Sequence, residues 1–365
     1  MALLFLIAGL LLLVVGAEAL VRGSARLAAA IGISPLVVGL TVVAFGTSSP
    51  ELIVSLRASL AGQADIALGN VVGSNIFNVL FILGLSALVA PLIVTDRLVR
   101  RDVPLMVGVS LITVAMAVNG RIDRVEGLLL VTGLVVYTAV LTVRRSKDAA
   151  DPESPKVSMP QGASRPIVNA ALALGGLGLL VWGSGWLLDG AVDVAQSLGA
   201  SDLLIGLTIV AAGTSLPEVA TSVIASVRGE RDIAVGNVVG SNLLNMLGVL
   251  GISSVLAPGG IPVSVAARTF DLPIMVAAAL ACLPIFLSRA EISRAEGGIL
   301  LIGYLGYTGL LVAMAIRATS PSTVGPALLF AAPFLGLVGL AYHLQARSTE
   351  GSAAGLRGRD GRKGR

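Results

Sequence analysis

The sequence predicts an all-α polytopic membrane protein made of two inverted five-helix repeats, ten core transmembrane helices in all, plus one extra C-terminal transmembrane helix. Three observations carry that expectation. Of 365 residues, 55% are apolar and only 13% charged, with a mean hydropathy of +0.93, where an ordinary soluble domain has about 25% charged residues. Apolar stretches long enough to cross ~30 Å of hydrocarbon recur along the whole chain. The chain also repeats itself, with a polar cluster inside each copy.

Eleven apolar segments follow in order: 2–21, 34–60, 66–90, 103–119, 125–143, 167–188, 202–226, 233–256, 269–288, 297–316 and 323–345. The first has no basic run before its apolar stretch, so it is a retained helix rather than a cleaved leader. It carries Glu18, whose place in the second copy is taken by Gly185, so a one-sided structural contact and a gating role both remain open. The second and seventh segments hold the polar octapeptides, and the third and eighth hold asparagine stripes. The fourth and ninth begin at Asp102 and Asp271, ahead of Pro104 and Pro273, where helix capping is expected. The fifth and tenth begin with Glu126 and Glu296, placed to interact with the helix dipole. Trp182 and Trp186 in the sixth are packing or interface anchors, and Cys282 and His343 are packing or interfacial residues. One cysteine and one histidine exclude a disulfide framework and an ordinary zinc or iron site.

The organisation that follows is a first repeat over 1–143, a cytoplasmic linker over 144–166, a second, inverted repeat over 167–317, the extra helix over 318–345 and a basic disordered tail over 346–365. Sorting Lys and Arg between the two faces puts 20 of 25 on one side. The positive-inside rule then sets the N-terminus outside and the tail in the cytoplasm, in the plasma membrane. This asymmetry accounts for the basic composition without a nucleic-acid partner.

Residues 39–84 laid over 206–251 without gaps are identical at 28 of 46 positions. The shared residues include GTS-x-PE and DIA-x-GNVVGSN with a further Asn. Five segments per copy is an odd number, so the second copy is inverted, the arrangement of secondary transporters with a midplane site.

Within the octapeptides AFGTSSPE and AAGTSLPE, Pro50 and Pro217 cannot donate to the carbonyls of Gly46 and Gly213. The following carbonyls, of Thr47 and Thr214, can tilt out, and backbone oxygens at membrane depth must face protein or a watery cavity. Glu51 and Glu218 add charge that is costly in a bilayer and marks ion pathways. Thr47, Ser48, Thr214 and Ser215 add hydroxyls. Asn70, Ser74 and Asn78, and likewise Asn237, Ser241 and Asn245, are spaced by four and form one helix face each. All of these ligands are oxygens, which suits a hard cation such as Ca²⁺ or Na⁺.

These motifs, GTSSPE with GTSLPE and GNVVGSNIFN with GNVVGSNLLN, resemble those of the calcium/cation antiporter superfamily, and most nearly its sodium/calcium exchanger branch. The resemblance implies a calcium site built from the Thr47 and Thr214 carbonyls and the Glu51 and Glu218 carboxylates. It implies sodium sites completed by Ser48, Ser74, Asn78, Ala44, Ser215, Ser241, Asn245 and Ala211. It also implies that segments 1 and 6, rich in glycine, slide against the rest. Asn245 stands where some relatives have Asp, which lowers the expectation of potassium coupling. The expected protein is therefore a monomeric Na⁺/Ca²⁺ antiporter working by alternating access and exporting calcium, with Ca²⁺ and Na⁺ as substrates, no cofactor and no enzymatic activity. H⁺ coupling is the alternative, and a cation channel stands behind it.

Overall fold

The structure, a computed structural model, describes residues 2–30, 34–148, 165–197, 211–287, 291–316, 325–340 and 342. Residues 149–164 of the linker, 202–210 at the start of the seventh segment, His343 and the tail lie outside the described residues.

The first half is built of α1 (Ala2–Ala30), α2 (Leu36–Thr47), α3 (Ser49–Leu60), α4 (Ala64–Val89), α5 (Val103–Ala117) and α6 (Arg124–Asp148). The second half follows with α7 (Pro166–Ser197), α8 (Ala211–Gly213), α9 (Leu216–Val227), α10 (Arg231–Leu256), α11 (Ala267–Leu287) and α12 (Arg294–Ile316). Then comes α13 (Gly325–Leu340). The second apolar segment falls on the pair α2 and α3, and the described part of the seventh on α8 and α9. Among the described residues seven helices are long and apolar enough to cross a membrane singly, or eight with the bent pair α2–α3 taken as one span; α5, α9 and α13 are shorter.

Two short sheets display the inversion. β1 (Leu92–Ile93), after α4, pairs antiparallel with β4 (Glu291–Ile292), before α12. β2 (Arg121–Ile122), before α6, pairs with β3 (Ile261–Pro262), after α10. Each pair joins a connection of one copy to the other copy's opposite connection. Such pairing places both strands on one face only if the copies run in opposite senses.

Packing follows residue size. α1 and α7 run antiparallel, Gly9 meeting Leu187, Gly16 meeting Leu180 and Gly23 meeting Ala173. A Cβ on Gly16 would stand 2.8 Å from the Gly176 carbonyl oxygen, so only hydrogen fits at this crossing. The same logic recurs in mirror image where Gly84 of α4 abuts Gly297 of α12 and Gly127 of α6 abuts Gly251 of α10. The centre belongs to α4 and α10, 78% and 83% of whose spanning stretches are buried, against 33% for α1 and α7. α13 lies against α12, the Phe334 ring over Gly303 and the Phe330 ring over Gly306. Cys282 is buried in α11 as packing, and Trp182 and Trp186 stack edge-on, with Phe5 of α1 against Trp186.

Two sequence expectations are corrected. Asp102 and Asp271 do not cap helices: the helix begins before each of them, and each accepts a hydrogen bond from a tyrosine, Tyr137 at 3.3 Å and Tyr307 at 3.0 Å. Their burial, not their place ahead of proline, decides their role, because a buried carboxylate takes the donor it can reach. Glu126 and Glu296 do more than face a dipole. Asp123 with Glu126, and Ser293 with Glu296, form reciprocal capping boxes that satisfy backbone donors at the first turn. Glu18 forms ion pairs with Arg22 and with Arg228, the latter at the end of α9, which makes its contact a link between α1 and the second half.

Candidate functional site

Each half contributes a broken helix and the helix after it. α2 and α3 differ in direction by 46° at Ser48. Ser48 has φ −82° and ψ 8°, and Ser215, its mate, φ −91° and ψ 10°, so the same non-helical residue interrupts both copies. Pro50 and Pro217 fall in the first turn of the downstream helix, where an absent N–H costs nothing. Proline therefore starts the second piece, and the Ser48 N–H donates to the Ala44 carbonyl at 2.9 Å. Gly46 and Gly213 have a packing task as well: a Cβ on either would meet a leucine of α7, Leu177 at 2.9 Å or Leu188 at 2.7 Å.

The break lets each octapeptide reach the other half. Ser48 Oγ donates to Glu218 Oε1 at 3.0 Å, and Ser215 Oγ donates to Glu51 Oε1 at 2.8 Å. Ser215 also shares a hydrogen bond with Ser74 Oγ at 3.1 Å. Thr47 Oγ1 donates to Asn237 Oδ1 at 3.1 Å, and Thr214 Oγ1 to Asn70 Oδ1 at 3.2 Å. Asn70 and Asn237 pass their own N–H groups to Ser55 and Ser222, at 2.8 Å and 3.0 Å. Deeper in, Asn78 donates to Asn242 Oδ1 at 3.0 Å and Asn245 donates to Asn75 Oδ1 at 3.1 Å. Apart from the Asn70–Ser55 and Asn237–Ser222 bonds, these run between copies, so the site exists only where the two halves meet.

The structure thus brings together Thr47, Ser48, Glu51, Ser74, Asn78, Thr214, Ser215, Glu218 and Asn245. Ser241 is buried on the same face of α10 as Asn237 and Asn245. Ala44 is buried in α2, its carbonyl accepting the Ser48 N–H at 2.9 Å. Ala211 opens the short α8. Sequence reasoning missed Asn75 and Asn242. They were legible as the second Asn of GNVVGSN in each copy, three residues before Asn78 and Asn245 and so on the same helix face. Ser55 and Ser222, identical in the repeat, were missed too.

What this arrangement can do follows from what it leaves open. Glu51 Oε2, Glu218 Oε2, Asn78 Oδ1, Asn245 Oδ1 and Ser241 Oγ are buried with no hydrogen-bond partner among the described residues. Buried oxygens of that kind are costly unless something positive meets them. Among the described residues the ion pairs involve Glu18, Asp96 and Asp102, so no basic side chain neutralises Glu51 or Glu218. Nor do three His, Cys, Asp or Glu side chains converge among the described residues, leaving two carboxylates completed by neutral oxygens. Such a donor set suits a hard cation, two carboxylates balancing one divalent charge. A cavity of about 340 Å³ reaches these residues past Asp65, Asp271 and Tyr307 to Asn70, Ser74 and Thr214. Its repeat-related counterpart, at Tyr137, Thr138 and Gly240, is a wider apolar recess of about 1060 Å³.

The family model described as sodium/calcium exchanger protein matches residues 1–143 and 168–313. The inner membrane protein YrbG of Escherichia coli is 39% identical over 272 residues, covering 73% of this chain and 83% of its own length. The sodium/calcium exchanger MaX1 of Methanosarcina acetivorans is 31% identical over 348 residues, covering 84% of this chain and 97% of its own. Among solved structures, the sodium-calcium exchanger NCX_Mj superposes with a TM-score of 0.72 at 28% identity, over 86% of this chain and 97% of that one.

Proposed function

This chain belongs to the sodium/calcium exchanger family, and on that footing we propose that it exports Ca²⁺ from the cytoplasm by alternating access, driven by Na⁺ entering through the same site. The family implies Na⁺ and Ca²⁺ as substrates of a multi-pass membrane transporter. The observation that carries the reading on this chain is the reciprocal bonding of Glu51 to Ser215 and of Glu218 to Ser48, with one oxygen of each carboxylate left open. We assign Ca²⁺ to the two carboxylates and the Thr47 and Thr214 carbonyls. Na⁺ takes the surrounding hydroxyl, amide and Ala44 and Ala211 carbonyl oxygens. A dehydrated divalent ion and several Na⁺ compete for one oxygen set, and the empty set is too costly to carry across the membrane. Exchange rather than leak follows.

The charge asymmetry of the connections supports an outward N-terminus in the plasma membrane. With that orientation the cavity past Asp65 opens outward, on the side from which Na⁺ would enter. The close, glycine-lined seam between α1 and α7, with few side chains to interlock, supports a sliding step between outward- and inward-open forms.

The test is Ca²⁺ uptake into proteoliposomes loaded with Na⁺ and diluted into Na⁺-free buffer. Uptake is expected with the wild type and its loss with Glu51→Gln or Glu218→Gln. Undiminished uptake in either variant would remove the carboxylates from the mechanism. Uptake driven by a pH gradient without Na⁺ would make H⁺ the coupling ion.

A further inference from the structure

Behind the site, two sulfur atoms stand at repeat-related positions. Met106 of α5 and Met275 of α11 are buried, and neither helix supplied an ion-site residue from the sequence. Asn242 Nδ2 lies 3.4 Å from Met106 Sδ, and Asn75 Nδ2 lies 3.7 Å from Met275 Sδ.

A thioether sulfur has no proton to give and can only accept. The amide edge facing each methionine must therefore be the NH₂ edge. That fixes the outer asparagines with their oxygens inward, where Asn242 Oδ1 accepts from Asn78 and Asn75 Oδ1 accepts from Asn245. With its NH₂ group so engaged, each inner asparagine has its oxygen left over. Those two oxygens, Asn78 Oδ1 and Asn245 Oδ1, are buried with no hydrogen-bond partner among the described residues. An inner amide turned the other way would present a donor edge that repels a cation.

We propose that Met106 and Met275 are positioning residues that act through Asn242 and Asn75 to hold the Asn78 and Asn245 side chains oxygen-first toward the transported cation. The relay starts on one copy's fourth or ninth segment, passes through the other copy's long central helix, and ends on the first copy's own. Each ligand amide is thus oriented by both halves. The inference deepens the exchange reading and rests on it, since the oriented oxygens matter only to a bound cation.

Met106→Leu and Met275→Leu keep the volume and remove the acceptor. In purified full-length protein, cation binding is read as the rise in Tm with added CaCl₂ or NaCl, and exchange is read in proteoliposomes. The expected result is a roughly 10-fold rise in the cation concentration at half-effect, the scale on which outer-shell partners tune metal affinity. Met106→Gln, which returns an acceptor oxygen at that place, is expected to restore most of the affinity. On an Asn78→Ala background Met106→Leu should add nothing, whereas Met275→Leu should keep its full effect.

Wild-type affinity in both leucine variants, or an undiminished Met106→Leu effect without Asn78, would overturn the relay. If Met106→Leu does not yield folded protein, Met275→Leu with Asn245→Ala provides the same cycle. A wild-type chain lacking cation-dependent stabilisation and exchange would sink the exchange reading itself. A responsive wild type whose methionine variants keep its cation affinity would sink the relay alone.

Discussion

At the scale of single residues, the polar atoms of the bundle divide into those bonded within the protein and those left open. Asn237 takes the Thr47 hydroxyl and donates to Ser222, whereas Ser241 Oγ, one turn on, has no partner among the described residues. Asn237→Ala should therefore lower the Tm of the unliganded protein, each lost buried hydrogen bond being worth about 1 kcal/mol. Ser241→Ala should leave that Tm nearly unchanged but raise the Na⁺ concentration for half-maximal exchange, about 10-fold if one ligand oxygen contributes ~1.4 kcal/mol. Equal loss of Tm in both variants would contradict the division. The paired aspartates belong to the bonded class. Tyr307→Phe deprives Asp271 of a donor at 3.0 Å, and destabilisation of about 1.5–3 kcal/mol is expected in denaturant unfolding.

At the scale of elements, the α1–α7 seam and the broken helices show how small residues set packing and geometry. Gly16 faces the partner backbone, whereas Gly178 has nothing within 4 Å of where its Cβ would stand. Gly16→Ala must push the helices apart and should cut both Tm and exchange rate, with Gly178→Ala close to wild type in both. The reverse ranking would show that the seam is not the close contact. Much of this level could be read in the sequence. The octapeptides announced a break, and ψ near 0° at Ser48 and Ser215 is that break. The capping boxes at Asp123–Glu126 and Ser293–Glu296 were also spelled out, as an acceptor followed three residues later by Glu. What could not be read was the partner of each break, because Ser48 and Ser215 donate to carboxylates of the opposite copy.

At the scale of the whole molecule, the inversion makes a prediction about sidedness. Asp96, beside β1, and Asn119, beside β2, are both exposed and lie on connections that pair with different partners of the second half. On a Cys282→Ala background, single cysteines at these two positions should react with an impermeant thiol reagent from opposite faces of the membrane. Labelling of both from one side would refute the alternation. α13 lies outside the matched family region, which ends at residue 313, and it touches the core through two phenylalanine rings over α12 glycines. Ending the chain before α13 should thus leave Na⁺-driven Ca²⁺ uptake measurable.

The sequence by itself determined the membrane setting, the duplication, the inversion and the oxygen-only chemistry of the centre. Each of these rests on local composition or on periodicity, and both survive in one dimension. Only the tertiary structure decided which oxygens remain free. The Asp102 and Asp271 carboxylates, which look like helix caps along the chain, are claimed by tyrosines some 35 residues later. Glu51 and Glu218 are completed by serines from the opposite copy, more than 160 residues away in sequence. A hydrogen bond is settled by which donor the folded chain brings within about 3 Å, and in an interior built from two interlocked copies that donor is seldom a neighbour in sequence.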